Sequence, residues 1–322
     1  MIISFIIPVY NVAQYVEKCI MSIISQDAAL SDYEIIIVND GSTDDSPRII
    51  AQLKESYPFI KVINQENKGL GAARNRGLMD ARGKYIHFLD SDDYLLPDTL
   101  NPLINQIGGD FDIIGFNWKE IFAGGKQQDV KRKVPYDETM TGAKYLNNFN
   151  LKGGACLFLF SSSLLREHSL EMPEGIYHED ELFIPQAFAF AQRVVFRDLF
   201  VYGYLQRPNS ITQERNKDFI RKRLKDSVFV TKELLAFKDS NNFSEPVRNG
   251  LKRKINFLTV DMIINLILLK MDQDTIRDTM QEFRNLKLYP LPQHSYSLKY
   301  SIFRLLFNNE KSIIYASKLK FF

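Results

Sequence analysis

Residues 90–93 read Asp90-Ser91-Asp92-Asp93, three carboxylates in four positions, directly after the apolar run Tyr85-Ile86-His87-Phe88-Leu89. Like charges a few ångströms apart repel by about 1 kcal/mol per pair in water, and by more where solvent is thin. A multivalent cation among them, or a ligand that carries one, removes that cost. A solvated turn is the plainer reading, because Asp and Ser are good turn residues. A second acidic cluster, His178-Glu179-Asp180-Glu181, precedes the apolar stretch 182–191. Carboxylates there stand at the positive end of a helix dipole, and N-terminal capping by Asp180 accounts for them without further function.

What must position these groups is the pattern of the first 120 residues, in which strand and helix alternate. Residues 2–9 are apolar and β-branched, and 12–24 place Val12, Val16, Cys19, Ile20 and Ile23 on one helical face. The run Glu34-Ile35-Ile36-Ile37-Val38 is a continuous buried strand. A turn and a helix with Pro47 in its first turn follow. Further strands are predicted at 60–64, 85–89 and 112–118, with helices at 71–82 and from 98 or 99 onward. Such β-α-β-α order predicts a mostly parallel sheet with helices on both faces. The polar stretch 124–135 reads as a loop. Strands are predicted near 155–160, 194–196 and 201–205, and only helical periodicity beyond 217.

In open parallel sheets the ligand lies outside the carboxyl ends of the strands. Those ends carry Pro8-Val9-Tyr10-Asn11, Asn39-Asp40-Gly41-Ser42, Gln65-Glu66-Asn67-Lys68-Gly69 and Asp90-Ser91-Asp92-Asp93, so four polar, small-residue loops meet on one edge. A dinucleotide fold would place Gly-x-Gly-x-x-Gly after the first strand, and that turn holds no glycine. Gly69-Leu70-Gly71 resembles a phosphate loop but follows the third strand and lacks the third glycine. No Walker A sequence and no Cys/His zinc spacing is present. The remaining chemistry is a hard, oxygen-ligated cation, Mg²⁺ or Mn²⁺, held by one or two carboxylates together with a nucleotide diphosphate.

The segments "FIIPVYN", "EIIIVNDGSTDDS", "NKGLGAARNRGL", "YIHFLDSDD" and "HEDELF" occur in the order seen in family 2 glycosyltransferases with the GT-A fold. Together they cover roughly 1–210. The chain resembles that family, which implies inverting, metal-dependent transfer of a sugar from a nucleotide-sugar, usually a UDP-sugar. The resemblance implies that Asp40 accepts the uracil imide N–H and that Pro8, Tyr10 and Asn11 form the nucleoside-facing wall. It places Asn67 and Gly69 beside the base and Arg74 on the base or phosphate side, against the rival reading of a surface salt bridge. Asp92 would be the principal metal ligand. Asp90 would act through water or the ribose, with the Ser91 main chain nearby, and Asp93 would cap the next turn or face the acceptor. Asp180 matches the family's base and Glu179 its neighbour, although Pro185, a turn inside the helix, departs from a plain register. Arg207 and Ser210 lie where the family has a loop that closes over the diphosphate. His87 reads as a core residue.

The chain of 322 residues, 45% of them hydrophobic, is long enough for one large or two modest domains. Two cysteines, Cys19 and Cys156, read as core residues of a reducing compartment. The start "MIISFIIPVY" has no basic n-region or cleavage site, and the longest apolar run, 255–269, is broken by Asn256, Asp261 and Asn265. Residues 1–215 hold 21 Lys and Arg against 28 Asp and Glu, whereas 216–322 hold 20 against 11. The expectation is therefore a cytoplasmic enzyme with a GT-A (Rossmann-like) catalytic domain over 1–215 and a basic, all-helical C-terminal extension over 216–322. The extension would face something anionic. Its aromatic and basic residues at 300–307 and 313–322 suit an anionic membrane on the inner face, where a polyprenyl-linked saccharide or glycan acceptor would sit. No nucleic acid is expected, and a homo-oligomer is allowed. Rival functions are a sugar-nucleotide nucleotidyltransferase, which would want a glycine- and arginine-rich loop after the first strand, and a non-catalytic nucleotide- or glycan-binding scaffold.

Overall fold

The computed structural model describes residues 1–151, 154–207, 216–294 and 296–319. Two compact units result, 1–216 and 217–322. The first opens with β1 (Ile3–Val9), α1 (Val16–Ile24), β2 (Tyr33–Asp40), α2 (Ser46–Ser56), β3 (Lys61–Gln65), α3 (Leu70–Asp80) and β4 (Tyr85–Phe88). Strands β3, β2, β1 and β4 lie side by side and parallel, with Ile6 opposite both Ile36 and Phe88. All seven residues of β1 are buried. A strand covered on both faces in this way reads as an unbroken apolar run. Helix α1 buries Val16, Cys19, Ile20 and Ile23. It begins at Val16 and not at Val12, and the Val12 and Ala13 amides ahead of it are held by Ser46 Oγ and Asp44 Oδ2.

The unit continues through β5 (Tyr94–Leu95), α4 (Leu100–Ile107), β6 (Ile113–Ile121), β7 (Gln127–Val130), α5 (Gly142–Asn148), β8 (Phe158–Ser161), α6 (Ser162–Glu167), α7 (Glu179–Phe190) and β9 (Val194–Leu205). Among the described residues these make one nine-stranded sheet in the order β3-β2-β1-β4-β8-β6-β9-β5, with β7 added on β6. Strand β6 does not stand next to β4, as uninterrupted alternation predicts. The short strand β8 lies between them, antiparallel to both, and every one of its residues is buried. Inserting Phe158 and Phe160 between two covered neighbours removes more apolar area from water than an edge position could.

Two other expectations change. The predicted loop 124–135 holds β7, a hairpin partner of β6 with mostly exposed side chains and hence no alternation to reveal it. The strands predicted at 194–196 and 201–205 are one strand, β9. Its charged middle meets partners at the sheet, Arg197 with Asp137, and Asp198 with Asn117 and Lys131. Helix α7 starts at Glu179, so the acidic cluster forms its first turn, and it runs on through Pro185.

The second unit consists, among its described residues, of α8 (Lys217–Ser240), α9 (Glu245–Leu268), α10 (Gln273–Asn285), α11 (Leu298–Phe307) and α12 (Glu310–Lys318). Its core includes Leu234, Leu251, Ile263, Leu266, Ile276, Met280, Phe283 and Ile313, all fully withdrawn from solvent. No described helix is long and apolar enough to cross a membrane.

Candidate active site

The carboxyl ends of β1, β2 and β3 are stitched together by short polar side chains. Asn39 Nδ2 donates to Asn64 Oδ1 at 2.9 Å, and Asn39 Oδ1 accepts from the Ser42 amide at 3.1 Å. Asn11, in the left-handed region at φ 53°, accepts from the Thr43 amide at 2.8 Å, which ties the first loop to the second. Pro8 is buried within β1, while Tyr10 stands half exposed beside Asn11. Asp40 is buried. Its Oδ1 accepts from Gln65 Nε2 at 2.7 Å and from the Lys68 amide at 2.9 Å, and its Oδ2 accepts from the Gly69 amide at 2.9 Å. A carboxylate offers about four lone-pair positions, so one on Oδ2 is left for a ligand. Asp40 thereby anchors the loop carrying Asn67 and Gly69, the latter at φ 92° where a side chain would be strained.

Helix α3 is the organising element. A Cβ on Gly71 would lie 2.3 Å from the Pro173 carbonyl oxygen, and one on Gly77 would lie 2.3 Å from Ile6 Cγ2. The glycines of "NKGLGAARNRGL" thus permit close packing on the 171–178 segment and on β1. Asn75 then clasps Met172 through both side-chain atoms, at 2.8 and 2.9 Å. Arg74 is buried, not on the surface. Its Nη2 donates to Asp90 Oδ1 and its Nη1 to Glu179 Oε1, both at 2.6 Å, and Met172 Sδ lies 3.6 Å from Nη1. Burial alone would lower the Arg74 pKa, but Asp90, Glu179 and Asp180 outweigh it and hold the guanidinium charged.

Arg74 therefore links the two acidic clusters. On one side, Asp90 and Asp92 are partly exposed and Ser91 is buried. Asp92 Oδ2 accepts from Arg207 Nε at 2.7 Å, and the Arg207 guanidinium lies 5.0 Å from the centre of the Tyr15 ring. Ser210 lies outside the described residues. Asp93 does not cap the turn with its side chain. It is buried, with Oδ2 accepting from the Tyr202 hydroxyl at 2.6 Å and Oδ1 from the Leu205 amide at 2.7 Å. Burial, with Asp92 and Asp90 nearby, lifts its pKa well above the carboxylate range.

On the other side, His178 adopts a left-handed conformation at φ 66° and turns the chain into α7. Capping does not explain Asp180, which lies inside the first turn, the N-cap position being His178. Glu179 points inward to Arg74, and burial lifts its pKa against the pull of that arginine. Asp180 is half-buried, with its Oδ2 beside the backbone of Gly154, where an added Cβ would sit 3.2 Å away. Burial, then the charges of Glu179 and Glu181, push its pKa up to about 8. The two adjacent carboxylates are thus differently employed, one locked to an arginine and the other turned elsewhere.

Sequence reasoning did not single out Asn75, Met172, Gly154 or Tyr15. Asn75 lies within the same segment as Arg74, and the pairing with Met172 across 97 positions leaves no local trace. His87 is core as expected, enclosed by Phe5, Phe116 and Tyr202, and burial lowers its pKa to about 4. Both cysteines are buried, and burial raises their thiols. A depression of about 390 Å³ lies at the other end of the strands, lined by Met1, Leu30, Tyr33, Glu34, Phe59, Lys61 and Arg82, and holds none of these groups.

Among the described residues no three His, Cys, Asp or Glu side chains form a metal cage. Asp90 and Asp92 each spend one oxygen on an arginine. The oxygen each has left fits a Mg²⁺ or Mn²⁺ ion shared with substrate phosphates, the usual way such ions are held.

The sequence model of Glycosyl transferase family 2 matches residues 4–171. EpsH of Bacillus subtilis (strain 168), which bears a glycosyltransferase name, is 33% identical over 255 residues, covering 77% of this chain and 72% of its own. The chain belongs to glycosyl transferase family 2. Its fold is the GT-A fold: S. aureus TarS 1–349 in complex with UDP-GlcNAc aligns with a TM-score of 0.65 at 20% identity, over 99% of this chain and 91% of that one. The mannosyltransferase PcManGT from Pyrobaculum calidifontis, in complex with GDP-Man and Mn²⁺, aligns at 0.56 and 16% identity, over 98% and 85%. Membership makes this family 2 protein a glycosyltransferase, and the nucleotidyltransferase and scaffold readings fall away.

Proposed function

We propose that the enzyme transfers a sugar from a UDP-sugar to a hydroxyl of a glycan or lipid-linked saccharide in surface polysaccharide synthesis, with inversion at the anomeric carbon. The observation that carries this reading is the division of labour between Glu179 and Asp180. Arg74 holds Glu179 in the wall, while Asp180 accepts no hydrogen bond among the described residues and has a raised pKa suited to taking a proton. In the proposed step the acceptor oxygen bonds to the anomeric carbon as the bond to the diphosphate oxygen breaks. The acceptor proton passes to Asp180. Asp90 and Asp92 would hold Mg²⁺ or Mn²⁺, which when bound would offset charge on the departing diphosphate. Pro8, Tyr10, Asn11, Asp40, Asn67 and Gly69 would receive the nucleoside, and Arg207 with Ser210 would cover the diphosphate. Support for the donor comes from the UDP-GlcNAc complex of the TarS fragment, and support for the metal from Mn²⁺ in PcManGT.

The test is incubation with UDP-, GDP- and dTDP-sugars plus Mn²⁺ and candidate saccharide acceptors, with nucleotide release and the product's anomeric configuration followed by NMR. Inverted product from a UDP-sugar is expected. A retained configuration, or preference for another nucleotide, would overturn the respective part.

A further inference from the structure

Helix α11 shows solvent an apolar stripe that nothing in the catalytic reading uses. Leu298, Ile302, Leu305 and Leu306 are 77, 50, 80 and 55% exposed. Spaced i, i+4, i+7 and i+8, they occupy one arc of about 100° on the helix. The opposite side is held in place. The Tyr300 hydroxyl donates to the Pro292 carbonyl at 3.0 Å, and the Tyr300 ring packs against Phe257 and Tyr296. At the far end the Tyr289 hydroxyl donates to the Phe307 carbonyl at 3.0 Å, and Asn308 Oδ1 accepts from the Leu291 amide at 2.6 Å. These tethers fix the rotation of α11, so its leucines cannot turn inward.

Charge decides what covers the stripe. Over 297–319 the chain carries Lys299, Arg304, Lys311 and Lys318 against one carboxylate, Glu310, which Arg284 engages. On α11 Lys299 borders the stripe while Arg304 stands about 150° from its centre, and two copies meeting through this basic segment would bring like charges together. An anionic lipid surface supplies both the missing negative charge and an apolar layer for the leucines. We infer that α11 is an interfacial helix that seats the protein on an anionic bilayer surface, with the leucines in the acyl boundary and the basic residues at the headgroups.

The experiment is co-sedimentation of the full chain with vesicles of phosphatidylcholine alone and of equal parts phosphatidylcholine and phosphatidylglycerol, at low and high salt, with light scattering alongside. Wild type should pellet with the anionic vesicles at low salt, at least about tenfold more than with neutral ones, and lose this at high salt. Leu305→Glu/Leu306→Glu should stay in the supernatant while releasing nucleotide from donor as wild type does, and Leu298→Asp is a second variant at an exposed site. Failure of wild type to pellet, equal pelleting by the double variant, or a wild-type dimer that the double variant converts to monomer without any lipid binding would each overturn the inference. None of the outcomes that would overturn the inference depends on which donor the enzyme uses.

Discussion

Arg74 Nη1 and Glu179 Oε1 lie 2.6 Å apart with side chains only 4 and 7% exposed, so a pair of opposite charges has been taken almost wholly out of water. Breaking such a pair from one side leaves an uncompensated buried charge and costs about 3–5 kcal/mol. Arg74→Ala should therefore lower the thermal midpoint sharply, and the loss should shrink when Glu179→Gln is added, since the stranded carboxylate is then gone. Thermal unfolding of the two single variants and the double variant checks this. Additive losses would mean that the pair is not coupled.

Asp180→Asn should abolish transfer while leaving donor binding nearly intact. The change is almost isosteric and removes only the proton acceptor, so the chemical step should fall by about 10²–10⁴-fold. Glu179→Gln should also lower activity, but through stability and not through the chemical step alone. If Asp180→Asn turns over at the wild-type rate in a single-turnover assay, the base is another group.

The raised pKa of Asp180, about 8, gives two pH signatures. A base works deprotonated, so kcat/KM should rise with pH through about 8, and the Asn variant should lose that limb. For stability, the folded protein keeps the Asp180 proton between its ordinary 3.8 and about 8 while the unfolded chain has released it. Stability should then fall as pH rises through that window. Asp180→Asn should gain on wild type in thermal midpoint from pH 4 to pH 8, and a constant difference would show the shift to be absent.

Arg207 holds one oxygen of Asp92 and so competes with a cation for the charge of that carboxylate. A partly exposed ion pair is worth roughly 1 kcal/mol, so Arg207→Ala should bind Mn²⁺ alone about fivefold more tightly than wild type. Asp92→Ala should bind it far more weakly and lose nucleotide affinity with it. Titration calorimetry without nucleotide distinguishes these outcomes, and equal affinities for wild type and Arg207→Ala would rule out the competition.

Gly71→Ala tests the packing of α3. The new Cβ would meet the Pro173 carbonyl at 2.3 Å, a backbone atom that cannot rotate away. Overpacking of this kind costs about 1–3 kcal/mol. The displaced segment leads into Glu179 and Asp180, so transfer should suffer more than UDP binding. Reduced binding with unchanged turnover would contradict that.

The elements that carry the site were legible wherever local pattern and topology agree. Continuous apolar runs gave β1, β2 and β4, and the rule that ligands gather at strand carboxyl ends brought Asn11, Asp40, Gly69 and Asp90 to one edge. Legibility failed where the deciding partner is remote. Nothing local separates Arg74 from Arg76, yet the first is buried between two carboxylates and the second pairs with Asp80 at the surface. Asp93 looked like its neighbours Asp90 and Asp92 until β9 supplied Tyr202 and the Leu205 amide. The insertion of β8 is likewise a choice of neighbours, which a strand of four residues cannot announce.

The bond from the Leu205 amide to Asp93 has a mechanical meaning for Arg207. It pins the end of β9 to the same turn that holds Asp92, and two residues of extended chain reach only about 7 Å. Arg207 is thus on a short leash whose post is part of the acidic turn itself. Any change of partner at Asp92 is a swing of one side chain about a nearby anchor, and the distance it has to travel is set by the turn that it guards.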